Sequence, residues 1–359
     1  MVNPKDLLMD DESLFKNERV FTPSYVPEDF AHRDSQLQEI SYSLKPGLRG
    51  VNPVNTLVYG PPGTGKTTAV KIMFEQVAKT SQKLVTVYVN CMDHHTRFGV
   101  FSKIHEKVFG HSPPDTGKPL NAIKEKVYKK LEKEGKTLMV CLDEIDTLFL
   151  ENAADNVLID LLKAHTTYGF DKIGVIGILI NREVMADLDE KVRSIYSPVE
   201  IHFPAYGEGE VEDILAKRAK YGFYEGVLTA EALSKIVSAT MDRGDLRYGI
   251  ELLRRSGLNA ERDSSRKIML KHVEDAAERD FNHRAEKVAE GLDEVGGKII
   301  GFLEGGGLKS GDLYVMVRDA TGVGVKKYNQ IVKKLEHHGM IETNPVEGRG
   351  RSRMISLRK

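Results

Sequence analysis

The sequence predicts an α/β protein: a doubly wound parallel sheet, then a small helical lid, then a third, basic domain. Three features point there: four continuous apolar runs separated by helical segments, a purely helical stretch after residue 206, and a change of pattern and charge beyond residue 289. With 359 residues, 40% of them apolar and 7% aromatic, the chain is long enough for two or three domains, each with its own core. Its 52 Lys plus Arg stand against 53 Asp plus Glu, a net charge of -1, which excludes a globally basic polyanion binder. Any basic surface has to be local.

The sheet opens at Thr56. TLVYG reads as a strand, PPGTGK as a glycine loop and TTAVKIMFEQVAKT as a helix with apolar residues at helical spacing, the start of a βαβ unit. LVTVYVN, TLMVCLDE and KIGVIGILIN follow as three further strands. Each is a continuous apolar run, as expected where helices cover both faces of a parallel sheet. Between the second and third strands, FSKIHEKVFGHSPPDTGKPLNAIKEKVYKKLEKEG holds a helix, a break rich in Pro and Gly, and another helix, more than one crossover needs. An insertion near Gly110 to Pro119 is therefore expected. After FPAY at 203–206, the segments DILAKRAKYGF, TAEALSKIVSATM, DLRYGIELLRRSGLNAE and KHVEDAAERDFNHRAEKVAEGL predict the lid. The domains are placed at 1–205 (an arm plus the α/β domain), 206–288 (lid) and 289–359. Cys91 and Cys141 lie at the edge of or inside apolar runs and are expected to pack in the core.

Gly60-Pro61-Pro62-Gly63-Thr64-Gly65-Lys66-Thr67 fits G-x-x-x-x-G-K-[ST] between a strand and a helix, the setting a phosphate-binding loop requires. The glycines let successive N–H groups and the helix N-terminus surround phosphates, and Lys66 neutralises β/γ charge. Thr67 has a hydroxyl placed for Mg2+, with Thr68 beside it on the same turn. Asp143 ends an apolar strand and Glu144 follows, so two carboxylates stand at the carboxyl edge of the sheet, where open α/β folds bind ligands. Asp143 is read as the second Mg2+ partner, and Glu144 as the general base or water-positioning group. Asn181 closes the fourth strand, where an amide is either an ordinary turn residue or a group that orients the lytic water. ATP or ADP with Mg2+ is the expected ligand, and no further metal site is expected, since no Cys/His pair has zinc spacing.

GPPGTGKT, CLDEID, Asn181 and GDLRYGIELLRR resemble, in order, the Walker A, Walker B, sensor-one and sensor-two elements of AAA+ ATPases. The resemblance makes Arg247 the lid arginine that reaches the γ-phosphate. FKNERVFTPSYVPEDFAHRDSQLQEI, RGVNPVNTLVYG, LDEKVRS with FPAY, and ILAKRAKYGF narrow it further, to archaeal origin-recognition and Cdc-six-type initiators over nearly the whole chain. Membership of that group would lay Tyr25, Val26, Pro27 and the segment around Arg33 against the adenine, and would bring Tyr206 and Arg218 to the nucleotide. It would also make His111, Ser112, Pro113, Pro114, Thr116 and Lys118 part of an insertion that enters the DNA minor groove. The group commonly carries Pro-Arg-Val where this chain has Glu190-Lys191-Val192. The finger that acts on a neighbour's ATP would then be Arg193, or Lys191, which lacks the planar fork; a protein acting as a monomer needs neither.

Beyond Glu290, GLDEVGGKIIGFLEGG, SGDLYVMVRDATG and GVKKYNQIVKKLEHHGMI are helical segments broken at glycines, followed by a hairpin around Gly348 to Arg353, the order of a winged helix. From Gly324 to Lys359, nine Lys and Arg against three Glu leave a local charge of +6, the footprint of a phosphate backbone. On the third helix Ile331, Val332, Leu335 and Ile341 are expected inward, with Lys326, Lys327, Asn329, Gln330, Lys333 and Lys334 offered to a major groove. Arg349, Arg351 and Arg353, with Gly350 between the first two, alternate on the wing and share one face.

The expected function is ATP-dependent replication initiation: binding double-stranded origin DNA, recruiting the replicative helicase, with slow ATP hydrolysis as a switch and other initiator copies as possible neighbours. A branch-migration-type motor shares the domain order but not the amino-terminal arm, and an ATP-binding transcription regulator is the reading from another class. No run reaches the roughly 18 apolar residues that span a bilayer, so a cytoplasmic, nucleoid-associated protein with no membrane partner is expected.

Overall fold

A computed structural model describes residues 13–114, 119–279, 294–303, 305–337, 341–345 and 353–357. The chain divides after Leu270 into two compact units. The first contains a five-stranded parallel sheet in the order β2-β3-β4-β1-β5, from β1 (Thr56–Tyr59), β2 (Leu84–Asn90), β3 (Thr137–Asp143), β4 (Ile173–Leu179) and β5 (Val199–His202). Helices α1 (Asp34–Leu48) and α2 (Lys66–Thr80) cover one face; α3 (Arg97–Phe109), α4 (Leu120–Lys133), α6 (Ala154–Leu162) and α8 (Glu190–Tyr196) cover the other. The short α5 (Asp146–Leu150) and α7 (Ala164–Tyr168) flank α6.

Burial on both faces explains the unbroken apolar runs. On β3, Leu138, Val140 and Leu142 enter the core under α3, α4 and α6, while Met139 and Cys141 enter the core under α1 and α2. Cys91 and Cys141 are both fully buried. The four strands read from the sequence are present. The fifth, β5, escaped that reading because it lies at the sheet edge beside β1 with three of its four residues exposed, so no apolar run marks it. It nevertheless delivers Phe203 to Tyr206 to the carboxyl edge.

The lid helices α9 (Glu208–Gly222), α10 (Ala230–Arg243) and α11 (Leu246–Arg262) pack on one another within this unit. The arm joins them: Lys16 N and Asn17 N donate to Gly222 O, and Phe15, Phe21 and Phe223 meet edge-on or tilted with ring centroids 4.8 to 5.9 Å apart. Arm and lid therefore share one aromatic cluster, of the kind that adds to area burial through ring geometry.

The second unit starts within α12 (270–279) and holds α13 (Glu294–Leu303), β6 (Leu308–Lys309), α14 (Ser310–Thr321), α15 (Val325–His337), β7 (Ile341–Pro345) and β8 (Arg353–Leu357). Its antiparallel sheet runs β6-β8-β7, and Leu313, Val317, Tyr328, Ile331, Val332, Leu335, Ile341 and Ile355 form its own core. This is a winged helix. Among the described residues no helix is long and apolar enough to cross a membrane.

Candidate nucleotide and DNA sites

The phosphate loop begins where β1 stops. Gly60 and Gly63 have φ of 146° and 71°, which a side chain resists, and space adds a second reason for glycine. A Cβ on Gly60 would lie 2.1 Å from Phe203 O; one on Gly63 would lie 2.1 Å from Asp245 Oδ1 and 3.0 Å from Leu246 N. The loop is thus pressed between the residue after β5 and the N-terminus of lid helix α11. Pro61 and Pro62 are exposed, Thr64 is buried with its hydroxyl on Pro61 O at 2.9 Å, and Thr67 and Thr68 are half-buried. Phe30 and the Tyr206 hydroxyl close over Gly65.

Lys66 opens α2, and its Nζ donates to Gly60 O at 2.6 Å and Pro61 O at 2.7 Å. Burial lowers its pKa to about 8; Arg247 pushes the same way, while Asp143, Asp146 and Asp245 oppose. A cation held in a pocket that penalises its charge is primed to gain from an anion.

Asp143, 4% exposed, is held from three sides. Its Oδ2 accepts from the Thr67 hydroxyl at 2.7 Å and the Tyr88 hydroxyl at 2.6 Å, and its Oδ1 from Glu144 N at 3.0 Å. A carboxylate and a hydroxyl side by side next to a phosphate loop are hard oxygen donors of the kind that hold Mg2+ together with phosphate oxygens, so the residues fit that ion. Glu144 has φ 54°, a strained value for a residue with a side chain, and its Oε2 is buried with no hydrogen-bond partner among the described residues. Burial first, then Asp143 and Asp146, raise its pKa, which makes it a better proton acceptor. Glu144→Gln is expected to keep ATP affinity while hydrolysis falls at least ~100-fold, the low end for loss of a general base. Phosphate release from pre-bound ATP measures it, and wild-type turnover would remove Glu144 from the chemistry.

Asn181 lies two residues past β4, exposed, and caps the 3-10 turn Arg182–Asp187: its Oδ1 accepts from Glu183 N at 3.0 Å and its amide donates to Glu183 Oε2 at 3.3 Å. Arg247 is 66% exposed, on the first turn of α11, its guanidinium on both Asp245 oxygens at 3.1 and 3.0 Å. Its charge still reaches the site, acting on both Lys66 and Glu144.

Arg33 is 2% exposed, and its guanidinium goes to backbone: Nε to Thr64 O at 3.0 Å, the two Nη groups to His32 O and Pro204 O, each at 2.8 Å, with the Tyr206 ring 3.7 Å from Cζ. It ties α1, the phosphate loop and the β5 exit together. Arg218 on α9 donates to Val20 O at 2.7 Å and lies 4.6 Å over the Tyr25 ring; Val26 and Pro27 follow half-buried. Lys191 and Arg193 are exposed on α8, whose inner side is pinned by the Tyr196 hydroxyl, which donates to Thr56 O at 2.7 Å and accepts from Gly177 N at 3.0 Å.

The insertion leaves α3 at Gly110. His111, Ser112 and Pro114 are exposed and Pro113 buried; Thr116 and Lys118 lie outside the described residues. The two helices that flank it, α3 and α4, are tied to α6, where Asp160 takes both Arg97 at 2.8 Å and the buried Lys124 at 2.9 Å. On α15, Lys326, Lys327, Asn329, Gln330 and Lys333 are exposed while Tyr328, Ile331, Val332 and Leu335 are buried, and Lys334 follows on the same helix; Ile341, expected on that helix, is buried but lies on β7, because α15 ends at His337. Arg353 opens β8, exposed; Arg349, Gly350 and Arg351 lie outside the described residues.

Three site features were not read from the sequence: Tyr88 on Asp143, Asp245 under Arg247, and Phe203 against Gly60. Asp245 had a usable signal, an N-cap residue directly before an amphipathic helix. The other two had none, since each sits in or beside a strand where an aromatic residue reads as core.

Residues 52–180 match the AAA domain family and residues 212–278 the Cdc6 AAA+ ATPase-type lid domain. A Methanothermobacter thermautotrophicus protein, ORC1-type DNA replication protein 2, is 41% identical over 348 residues, covering 96% of this chain and 92% of that one. ORC1-type DNA replication protein 3 of Haloarcula marismortui is 38% identical, covering 99% and 96%. Among solved structures, the Aeropyrum pernix ORC1 protein in complex with DNA is similar with a TM-score of 0.74 at 27% identity, over 97% of this chain and 94% of that chain.

Proposed function

Because the chain belongs to the ORC1-type DNA replication proteins of the AAA+ class, we propose that it is an ATP-dependent initiator that binds double-stranded origin DNA and helps to recruit the replicative helicase. The working parts are the arm plus ATPase domain at 1–205, the lid at 206–288 and the winged helix at 289–359. Mg2+, on Thr67 and Asp143, would supply positive charge to the phosphates. Lys66 and the loop N–H groups hold the phosphate chain, and Glu144 orients the attacking water and takes its proton. Arg193, or Lys191, is the group on this chain that can face a neighbouring copy on DNA.

The observation that carries this reading is the seat of α11 on the phosphate loop, where Gly63 leaves room only for Asp245 and Leu246. A change at the phosphates is therefore felt by the lid helix that carries Arg247, and slow hydrolysis becomes a switch between lid positions rather than a power stroke. Mapping the protein on its own chromosome tests the proposal. Occupancy concentrated at sites where replication starts supports it. Occupancy at promoters alone favours a transcription regulator, and DNA-stimulated steady turnover in hexamers favours a motor.

A further inference from the structure

We propose that Tyr88 is a positioning residue for the Mg2+-binding carboxylate Asp143; the proposal rests on the nucleotide-site reading above. In the register of β2 and β3, Tyr88 stands beside Cys141 and Asn90 beside Asp143. Tyr88 and Asp143 therefore share the α2 face of the sheet, offset by two residues, about 6.6 Å along the strand. A tyrosine spans that offset and a phenylalanine stops short. The hydroxyl closes on Asp143 Oδ2 at 2.6 Å, the oxygen that also accepts from Thr67.

The ring itself is held. Lys71, one turn after Thr67 on α2, places its Nζ 4.4 Å from the Tyr88 ring centroid, and the ring packs on the core that includes Phe74 and Cys141. With Oδ2 fixed by Tyr88 and Thr67 and Oδ1 by Glu144 N, the carboxylate plane cannot turn. Ligand-orienting partners of this kind matter to a metal site nearly as much as the ligands. Losing the Tyr88 donor leaves Oδ2 held by Thr67 alone, which loosens the carboxylate plane and leaves nucleotide contacts that do not involve the ion untouched.

The test is titration of full-length protein with a fluorescent ATP analogue, in EDTA and over a range of Mg2+ concentrations. It covers wild type, Tyr88→Phe, Tyr88→Met, Asp143→Asn and the Tyr88→Phe, Asp143→Asn pair, with thermal melts alongside. Both hydroxyl-free variants should keep the wild-type Kd in EDTA and need about tenfold more Mg2+ for half-maximal enhancement, the low end for loss of an outer partner of a metal ligand. In the Asp143→Asn background, Tyr88→Phe should add nothing. Equal weakening with and without Mg2+, an unchanged Mg2+ requirement, or full additivity in the pair would overturn the proposal, because each describes packing alone. The phenyl and thioether variants disturb packing differently, so a shift seen in only one also counts against the hydroxyl. Wild type that binds the analogue equally with and without Mg2+ would instead remove the underlying reading of the ion site.

Discussion

Lys66→Ala is expected to weaken ATP binding by roughly 100- to 1,000-fold, since one unit charge about 4 Å from another at an effective dielectric near 20 is worth about 4 kcal/mol, and each 1.4 kcal/mol is tenfold. Lys66 is the cation enclosed by the loop, bonded to Gly60 O and Pro61 O; of the other cations nearby, Arg247 is exposed and tied to Asp245, and Arg33 donates to backbone carbonyls. Calorimetric titration with ATP and Mg2+ reads the loss directly, and an unchanged Kd would reject the site. Stability has its own sign. The folded-state pKa, about 8, is below the ordinary lysine value of 10.5, so the charged form is penalised on folding. That penalty is complete below about pH 8 and disappears above about 10.5. At neutral pH the nucleotide-free variant should therefore melt no lower than wild type, and any advantage should fade as pH rises through that window. The stabilisation that wild type gains from ATP, which grows with ligand concentration relative to Kd, should be absent from the variant.

Removing the winged helix should be as damaging to DNA binding as Lys66→Ala is to nucleotide binding. The second unit has a core separate from the sheet's two cores, so ending the chain near Glu290 removes that core and leaves every residue of the sheet's two cores in place. It removes the segment from Gly324 that carries a local charge of +6. Each phosphate neutralised contributes about 0.9 to the slope of log affinity against log salt. Loss of four or more such contacts should cost about 100-fold or more in affinity near physiological salt and flatten the slope by about 4. Within the full chain, changing Arg349, Arg351 and Arg353 together to Ala should weaken origin and scrambled duplexes alike, whereas changes at the exposed Asn329 or Gln330 should chiefly reduce the preference for the origin. Titrations of both duplexes at several salt concentrations measure this. A truncated protein that keeps its affinity and its slope would move the main DNA contact to the ATPase domain, where the insertion beyond His111 is the remaining candidate.

How much of this was legible beforehand follows from the range of the forces involved. Four strands, the phosphate loop, the lid helices and the inward face of α15 were read from neighbours in sequence. Strand burial imposes an apolar run, a 3.6-residue period marks a helix face, and Gly60 and Gly63 answer to backbone angles that their own turn dictates. The candidate Mg2+ ligands Asp143 and Thr67 were equally local, because a strand end and a helix start set their positions.

What the sequence could not decide is where long side chains from distant segments end. The resemblance lays the segment around Arg33 against the adenine but says nothing of where its guanidinium goes; it goes to the carbonyls of Thr64, His32 and Pro204, because a buried fork must satisfy its donors and the fold brings those oxygens to it. Tyr88 reads as a core aromatic until the parallel register of β2 on β3 brings its hydroxyl to Asp143. Asp245 reads as a cap until α11 docks on Gly63. β5 carries too little apolar surface to announce itself, and only its pairing with β1 reveals that Phe203 walls the phosphate loop. Local chemistry determined which residues are candidates to bind a nucleotide; contacts between elements distant in sequence determined which of them hold the site in shape, because hydrogen-bond demands of buried polar groups are met by whatever the tertiary fold brings within reach.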